Sequence, residues 1–149
     1  MSLNTIYLVV NFVALGGWAM LLASVFLGNR LVTVGVVRAL VMALAAVYVV
    51  TMLWILPFKG GGFASLDGLA GFFSQPQIVL AGWIHYLVMD LFIGTWQLQI
   101  ARSQQLPNML VVPTLLLTML FGPLGLLVFL SARHVIQGRR SVVQTSLEV

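Results

Sequence analysis

The stretch "GWIHYLVMDLFIG" (residues 82–94) sets His85, Tyr86 and Asp90 inside an apolar run, in a chain that has two histidines and three acidic residues in all. Imidazole, phenol and carboxyl groups can pass protons to and from a reacting molecule. A charge at mid-membrane depth costs on the order of 3 kcal/mol, so such groups turn toward the bundle interior or a cavity. A buried carboxyl without a cationic partner keeps its proton and can donate it. At about 3.6 residues per helical turn, Trp83, Tyr86, Asp90, Gly94 and Gln97 fall on one narrow stripe. His85, Met89, Phe92, Trp96 and Gln99 form a second stripe beside it. Tyr86 and Asp90 are one turn apart and within reach of each other, whereas His85 and Asp90 diverge by about 140°.

Other polar residues extend this set. Arg38 lies in another apolar run, within about 6 Å of the depth of Asp90 by helical rise. An Arg38–Asp90 pair is therefore expected, either locking two helices or serving the site. Asn11 and Trp18 share a face of the first apolar run, and Asn11 is expected to hydrogen-bond across helices. His134, beside Arg133, reads as a solvated interfacial residue. Bis-histidine haem ligation needs two histidines at matching depth, and His85 and His134 do not match. A metal would have only His85 and Asp90, which diverge. No serine stands at a recognised spacing from a base, and there is no cysteine. Neither metal nor cofactor is expected.

The elements that must hold these residues are membrane helices. Hydrophobic residues make up 61% of the 149-residue chain and charged residues 7%, and the mean hydropathy is +1.10. A soluble domain carries roughly 25% charged residues, so this surface faces lipid. The net charge of +4 comes from seven scattered basic residues that form no nucleic-acid stripe. A spanning helix needs about 20 apolar residues. Four segments qualify: Thr5–Leu27, Leu31–Leu56, Ile78–Ala101 and Met109–Ser131. The expected fold is all-α, a four-transmembrane-helix bundle in one domain over residues 1–145. The first apolar run lacks the positive flank of a signal peptide and reads as a retained span. The tail from Ser146, "SLEV", matches the start of a protease-site linker and is set aside.

Four spans place both termini on one side. Lys59, Arg133, Arg139 and Arg140 outnumber Arg30 and Arg102, so the positive-inside rule points to cytoplasmic termini, as in a bacterial inner membrane. Between spans two and three, Phe63, Leu66, Leu69 or Ala70, and Phe73 recur at about helical spacing after Gly60–Gly62. This predicts a short interfacial helix capped by Ser65 behind a glycine hinge. Gly35, Ala39 and Ala43 form a small-residue stripe on which another helix can pack. Pro123, between Gly122 and Gly125, predicts a kink that frees backbone carbonyls. "VALGGW" (13–18) and "IVLAGW" (78–83) echo each other, through a duplicated two-helix unit or by chance.

Trp83, Tyr86, Phe92 and Trp96 flank the polar stripe, with Phe121 and Phe129 on the fourth span. Such a lining suits a long apolar ligand with few polar groups: a carotenoid, retinoid, quinone or lipid tail. Aromatics in spans also serve as packing and belt residues. Pattern alone leaves both readings open.

The segments "GGFASLDGLAGFFSQPQIVLAGWIHYLVMDLFIGTW" and "LPNMLVVPTLLLTMLFGPLGLLVFL" resemble the abscisic acid deficient four family of plants, algae and bacteria. The likeness rests on Trp83 and His85, on Asp90-Leu91-Phe92, and on Gly122-Pro123-Leu124-Gly125-Leu126. Asn11 and Trp18 of "NFVALGGW" add to it. Plant members are associated with forming neoxanthin from violaxanthin. The resemblance implies a membrane protein that acts on carotenoids or related polyenes, as an isomerase or a neoxanthin-synthase-like enzyme. Opening an epoxide to an allene needs an acid for the oxygen and a base for a carbon-bound proton. His85, Asp90 and Tyr86 are then the catalytic candidates. Trp83, Phe92, Trp96, Arg38, Asn11 and Trp18 are the substrate-binding candidates. The alternatives are a non-catalytic carrier and a small transporter. The expected partners are a long apolar ligand and the bilayer, without nucleic acid; self-association is left open.

Overall fold

The computed structural model describes residues 2–27, 30–56 and 61–147, and the side chains of 30–32 and 139–147 are also outside the description. The turn expected at Gly28–Asn29, the stop at Pro57, Lys59 and Gly60 lie outside the described residues. Five helices follow one another: α1 (Leu3–Phe26), α2 (Arg30–Ile55), α3 (Leu66–Phe73), α4 (Pro76–Ser103) and α5 (Asn108–Leu147). No strand occurs among the described residues. Four of the helices are long and apolar enough to cross a membrane, as expected.

Local chemistry starts these helices. Ser2 Oγ accepts from Thr5 N–H at the head of α1. Ser65 Oγ accepts from Gly68 N–H at 3.0 Å, the cap expected for the interfacial helix, and Asp67 complements the helix dipole. Pro76 opens α4 at a position where the missing N–H costs nothing. The Gly60–Gly62 stretch, expected as a hinge, is docked where described: Gly62 N–H donates to Gly68 O at 3.0 Å. Gly61 has φ +75°, and a Cβ there would run into the Phe72 backbone, so only glycine fits.

Helix α4 is the hub and packs against all four others. Its small residues let α1 in close. A Cβ on Gly94 would stand 2.5 Å from the Trp18 ring, and one on Gly17 would stand 2.9 Å from Leu91 Cδ2. Val34, Val37, Val41 and Leu44 form the buried face of α2. The stripe Gly35, Ala39 and Ala43 is exposed, so among the described residues no helix packs on it. Phe12, Phe26, Met42, Trp54 and Met109 are exposed and suit a surface solvated by lipid.

Helix α5 departs most from expectation. Phe121 (φ −139°, ψ 34°) and Gly122 (φ 16°, ψ −82°) interrupt it, and Pro123 supplies no N–H to the preceding turn. The predicted kink is a fold-back. Arg133 Nε donates to Gln104 Oε1 at 2.8 Å, and Phe129 meets Trp96 edge-on at 6.0 Å. Gly125 packs against Thr118. A straight helix would carry Arg133 about 37 Å away from Asn108 and from the end of α4 where Gln104 sits. Instead, arm 108–120 descends to the middle of α4, and arm 123–147 returns to the level it left. The start of α1 and the second arm of α5 therefore lie at opposite ends of the bundle, where four full spans would bring them to one side. The reversal comes from the pair of non-helical residues ahead of Pro123, where a kink within one span was expected.

Candidate functional site

A cavity of ≈ 750 Å³ opens at the end of the bundle where α1 begins and α2 ends. Helix α4 supplies one wall from Pro76 to Tyr86, including Val79, Trp83 and His85. Tyr7 with Asn4 on α1, and Tyr48 with Met52 on α2, form the flanks. Phe63, Phe72 and Phe73 of the α3 segment cover the remaining side, with Phe63 tilted against Phe72 at 5.1 Å and Phe72 meeting Phe73 edge-on at 5.8 Å. The size suits part of an elongated small molecule.

The aromatic groups form a connected set. Trp83 stacks on Tyr86 at 5.4 Å and 23°, and meets Tyr7 at 6.2 Å. Trp83 Nε1 donates to Asn11 Oδ1 at 3.2 Å, the cross-helix bond expected of Asn11. Asn11 Nδ2 in turn donates to Tyr7 O. These bonds hold the indole against the cavity wall. His85 lies 5.5 Å from the Tyr48 ring and faces the cavity.

Tyr86 has two surroundings. Its ring lines the cavity, while its hydroxyl donates to Leu120 O at 3.2 Å, at the end of the first arm of α5. Non-helical backbone at membrane depth survives only where its polar groups find partners, and Tyr86 is such a partner. Its hydroxyl also neighbours the Asp90 carboxyl. Asp90 itself is 5% exposed and packs against Gly122, where a Cβ would overlap Oδ1. Asp90 Oδ2 and Gln97 Nε2 are buried without a hydrogen-bond partner among the described residues. Thr118 Oγ1 donates to Gln97 Oε1 at 3.0 Å.

The expected residues therefore separate into groups. His85, Tyr86 and Trp83 line the cavity, and Asn11 supports it from behind. Asp90 is outside the lining, in the seam between α4 and α5. Trp18 is 3% exposed and fills the core against Gly94. Trp96 packs on Phe129, and Phe92 points outward at 54% exposed. Arg38 is exposed on α2, one position past the buried Val37, and does not pair with Asp90. Phe121 is exposed and Phe129 buried, and neither lines the cavity.

Sequence reasoning missed Tyr7, Tyr48 and Met52. Tyr7 lies one turn before Asn11 and could have been found on its face. Tyr48 had no such marker, because nothing in α2 shows which side turns to α4. Among the described residues no three histidine or acidic side chains gather as metal ligands.

No curated protein and no solved structure matches the chain. A family profile described as ABA DEFICIENT 4-like matches residues 5–129, which run from the first turn of α1 through α4 and past the fold-back of α5. With that match over most of its length, the chain belongs to the ABA4-like family.

Proposed function

We propose that this protein acts on a carotenoid or related polyene, as an isomerase of the cis–trans or epoxide-to-allene type. The observation that carries this reading is the aromatic cavity at one membrane end, with His85 facing into it beside Tyr48. Planar conjugated chains suit walls of Trp and Tyr, and a single imidazole can deliver and retrieve a proton. Protonating one polyene carbon leaves a cation whose former double bond turns freely. Loss of the proton to the same base restores the polyene in the new geometry. For an epoxide, a phenol or imidazolium gives the oxygen its proton while a base takes the carbon-bound one. Asp90 does not touch the cavity and acts through Tyr86, as a positioning residue.

A non-catalytic carrier is the second reading. It is favoured by the place of Asp90 outside the lining, which leaves His85 as the one imidazole beside phenols. The protein resides in the membrane; a bacterial inner membrane is the proposed location. The test is to purify the protein in mild detergent from a carotenoid-producing host and separate the extracted pigments by isomer. His85→Ala is expected to lower isomer conversion about 10²-fold or more while pigment stays bound. Pigment bound without conversion by the parent protein would establish the carrier. A well-folded protein without pigment would remove the polyene reading.

A further inference from the structure

We infer that the cavity opens to the leaflet away from the cytoplasm and takes its ligand from that leaflet, with the C-terminal arm of α5 on the cytoplasmic side. The inference rests on the apolar ligand proposed above, but its topological half stands on the chain path alone. Helices α1, α2 and α4 alternate direction, so the start of α1, the end of α2 and the start of α4 share one end. That end holds the cavity and α3. The fold-back of α5 sends the chain out at the other end, where Arg133 meets Gln104.

The basic residues then sort differently from the expectation for four straight spans. Arg102 anchors the far end by donating to Ser24 O at 3.1 Å and Ser24 Oγ at 2.8 Å. Arg133 joins it there, Arg30 begins α2 at the same end, and Arg139 and Arg140 follow Arg133 along α5. The connection between α2 and α4 carries a single basic residue, Lys59. An excess of arginine beside short connections marks the cytoplasmic side. The cavity end is thus the opposite one. An elongated apolar molecule resting in that leaflet would meet Phe63, Phe73 and Val79 at the rim, all of them exposed.

The chain contains no cysteine, so single-cysteine variants report position without interference. Asp67→Cys on α3 and His134→Cys on α5 both replace exposed residues. Each would be produced in a carotenoid-free bacterial host and treated with a membrane-impermeant maleimide, on intact and on permeabilised cells. The expected result is labelling of Asp67→Cys in intact cells and of His134→Cys only after permeabilisation. The reverse pattern overturns the orientation. Labelling of both from the same side overturns the fold-back. Asn4→Cys, an exposed cavity residue, tests the ligand. Its labelling from outside should slow several-fold once retinol is added to the membranes. An unchanged rate with the expected topology would sink the polyene reading and leave the orientation standing.

Discussion

Asp90 and His85 stand five positions apart on α4 and serve two different places. His85 faces the cavity beside Tyr48, and Asp90 is sealed against Gly122. Their divergence follows from helical geometry and was legible in the sequence, as was the contact between Tyr86 and Asp90. The Arg38 partnership was not, because helical rise gives depth but says nothing of how α2 is rotated. That rotation is set by Val34, Val37, Val41 and Leu44, which leave Arg38 on the lipid side. Among the described residues Asp90 thus has no ion pair to lose, and one of its oxygens is unpartnered. Asp90→Asn should therefore leave the thermal midpoint in detergent about unchanged, since a buried carboxyl without a cationic partner keeps its proton and the amide replaces it at equal charge and nearly equal size. A lowered midpoint would reveal a stabilising partner for the carboxylate. Turnover, measured by pigment isomer analysis, should fall less in Asp90→Asn than in His85→Ala.

At the scale of elements, the break in α5 is where the fold gains its mid-membrane polar seam. Pro123 and its flanking glycines predicted a kink, but the direction and size of the bend depend on what receives the two arms. Gly125 lets the second arm lie against Thr118, and Gly122 lets the Asp90 carboxyl approach the backbone. Gly122→Ala places a methyl group where Oδ1 now sits, and such overpacking costs about 1–3 kcal/mol. Unfolding in denaturant should show that loss. Adding Asp90→Ala to Gly122→Ala should recover part of it, because residues in direct contact couple by roughly 0.5–3 kcal/mol. Strictly additive effects would mean that the two positions are not in contact. The interfacial helix α3, by contrast, was readable to its cap: Ser65 bonds Gly68 N–H through a local i to i+3 contact that needs no tertiary partner.

For the whole molecule, the cavity is short relative to the membrane. Its wall along α4 runs from Pro76 to Tyr86, about 15 Å at helical rise, whereas the hydrocarbon core is about 30 Å thick. On the proposed reading, a full-length carotenoid would insert one end and leave the other in lipid. A half-length polyene such as retinol should then bind in nanodiscs within a few-fold of a full-length carotenoid, read by quenching of tryptophan fluorescence at Trp83. A strong preference for the full-length chain would show that surfaces beyond the cavity take part. Val79→Trp, which narrows the cavity from its rim, should weaken both ligands alike, and Phe92→Ala, on the outward face, neither.

The sequence by itself determined a membrane protein with four long apolar helices, an interfacial helix, an inward stripe on α4 and a weak point at Pro123. Each of these rests on composition, helical periodicity or a local backbone rule, and none needs knowledge of neighbours. Only the tertiary structure decided that Trp83, His85 and Tyr86 share a cavity with Tyr7 and Tyr48, that Trp18 belongs to the core, and that Arg38 faces away from Asp90. It also decided that α5 folds back and carries its second arm to the end of the bundle away from the cavity. These outcomes depend on the rotation of each helix and on which surfaces meet, and both are set by side chains packing across helices rather than by spacing along one.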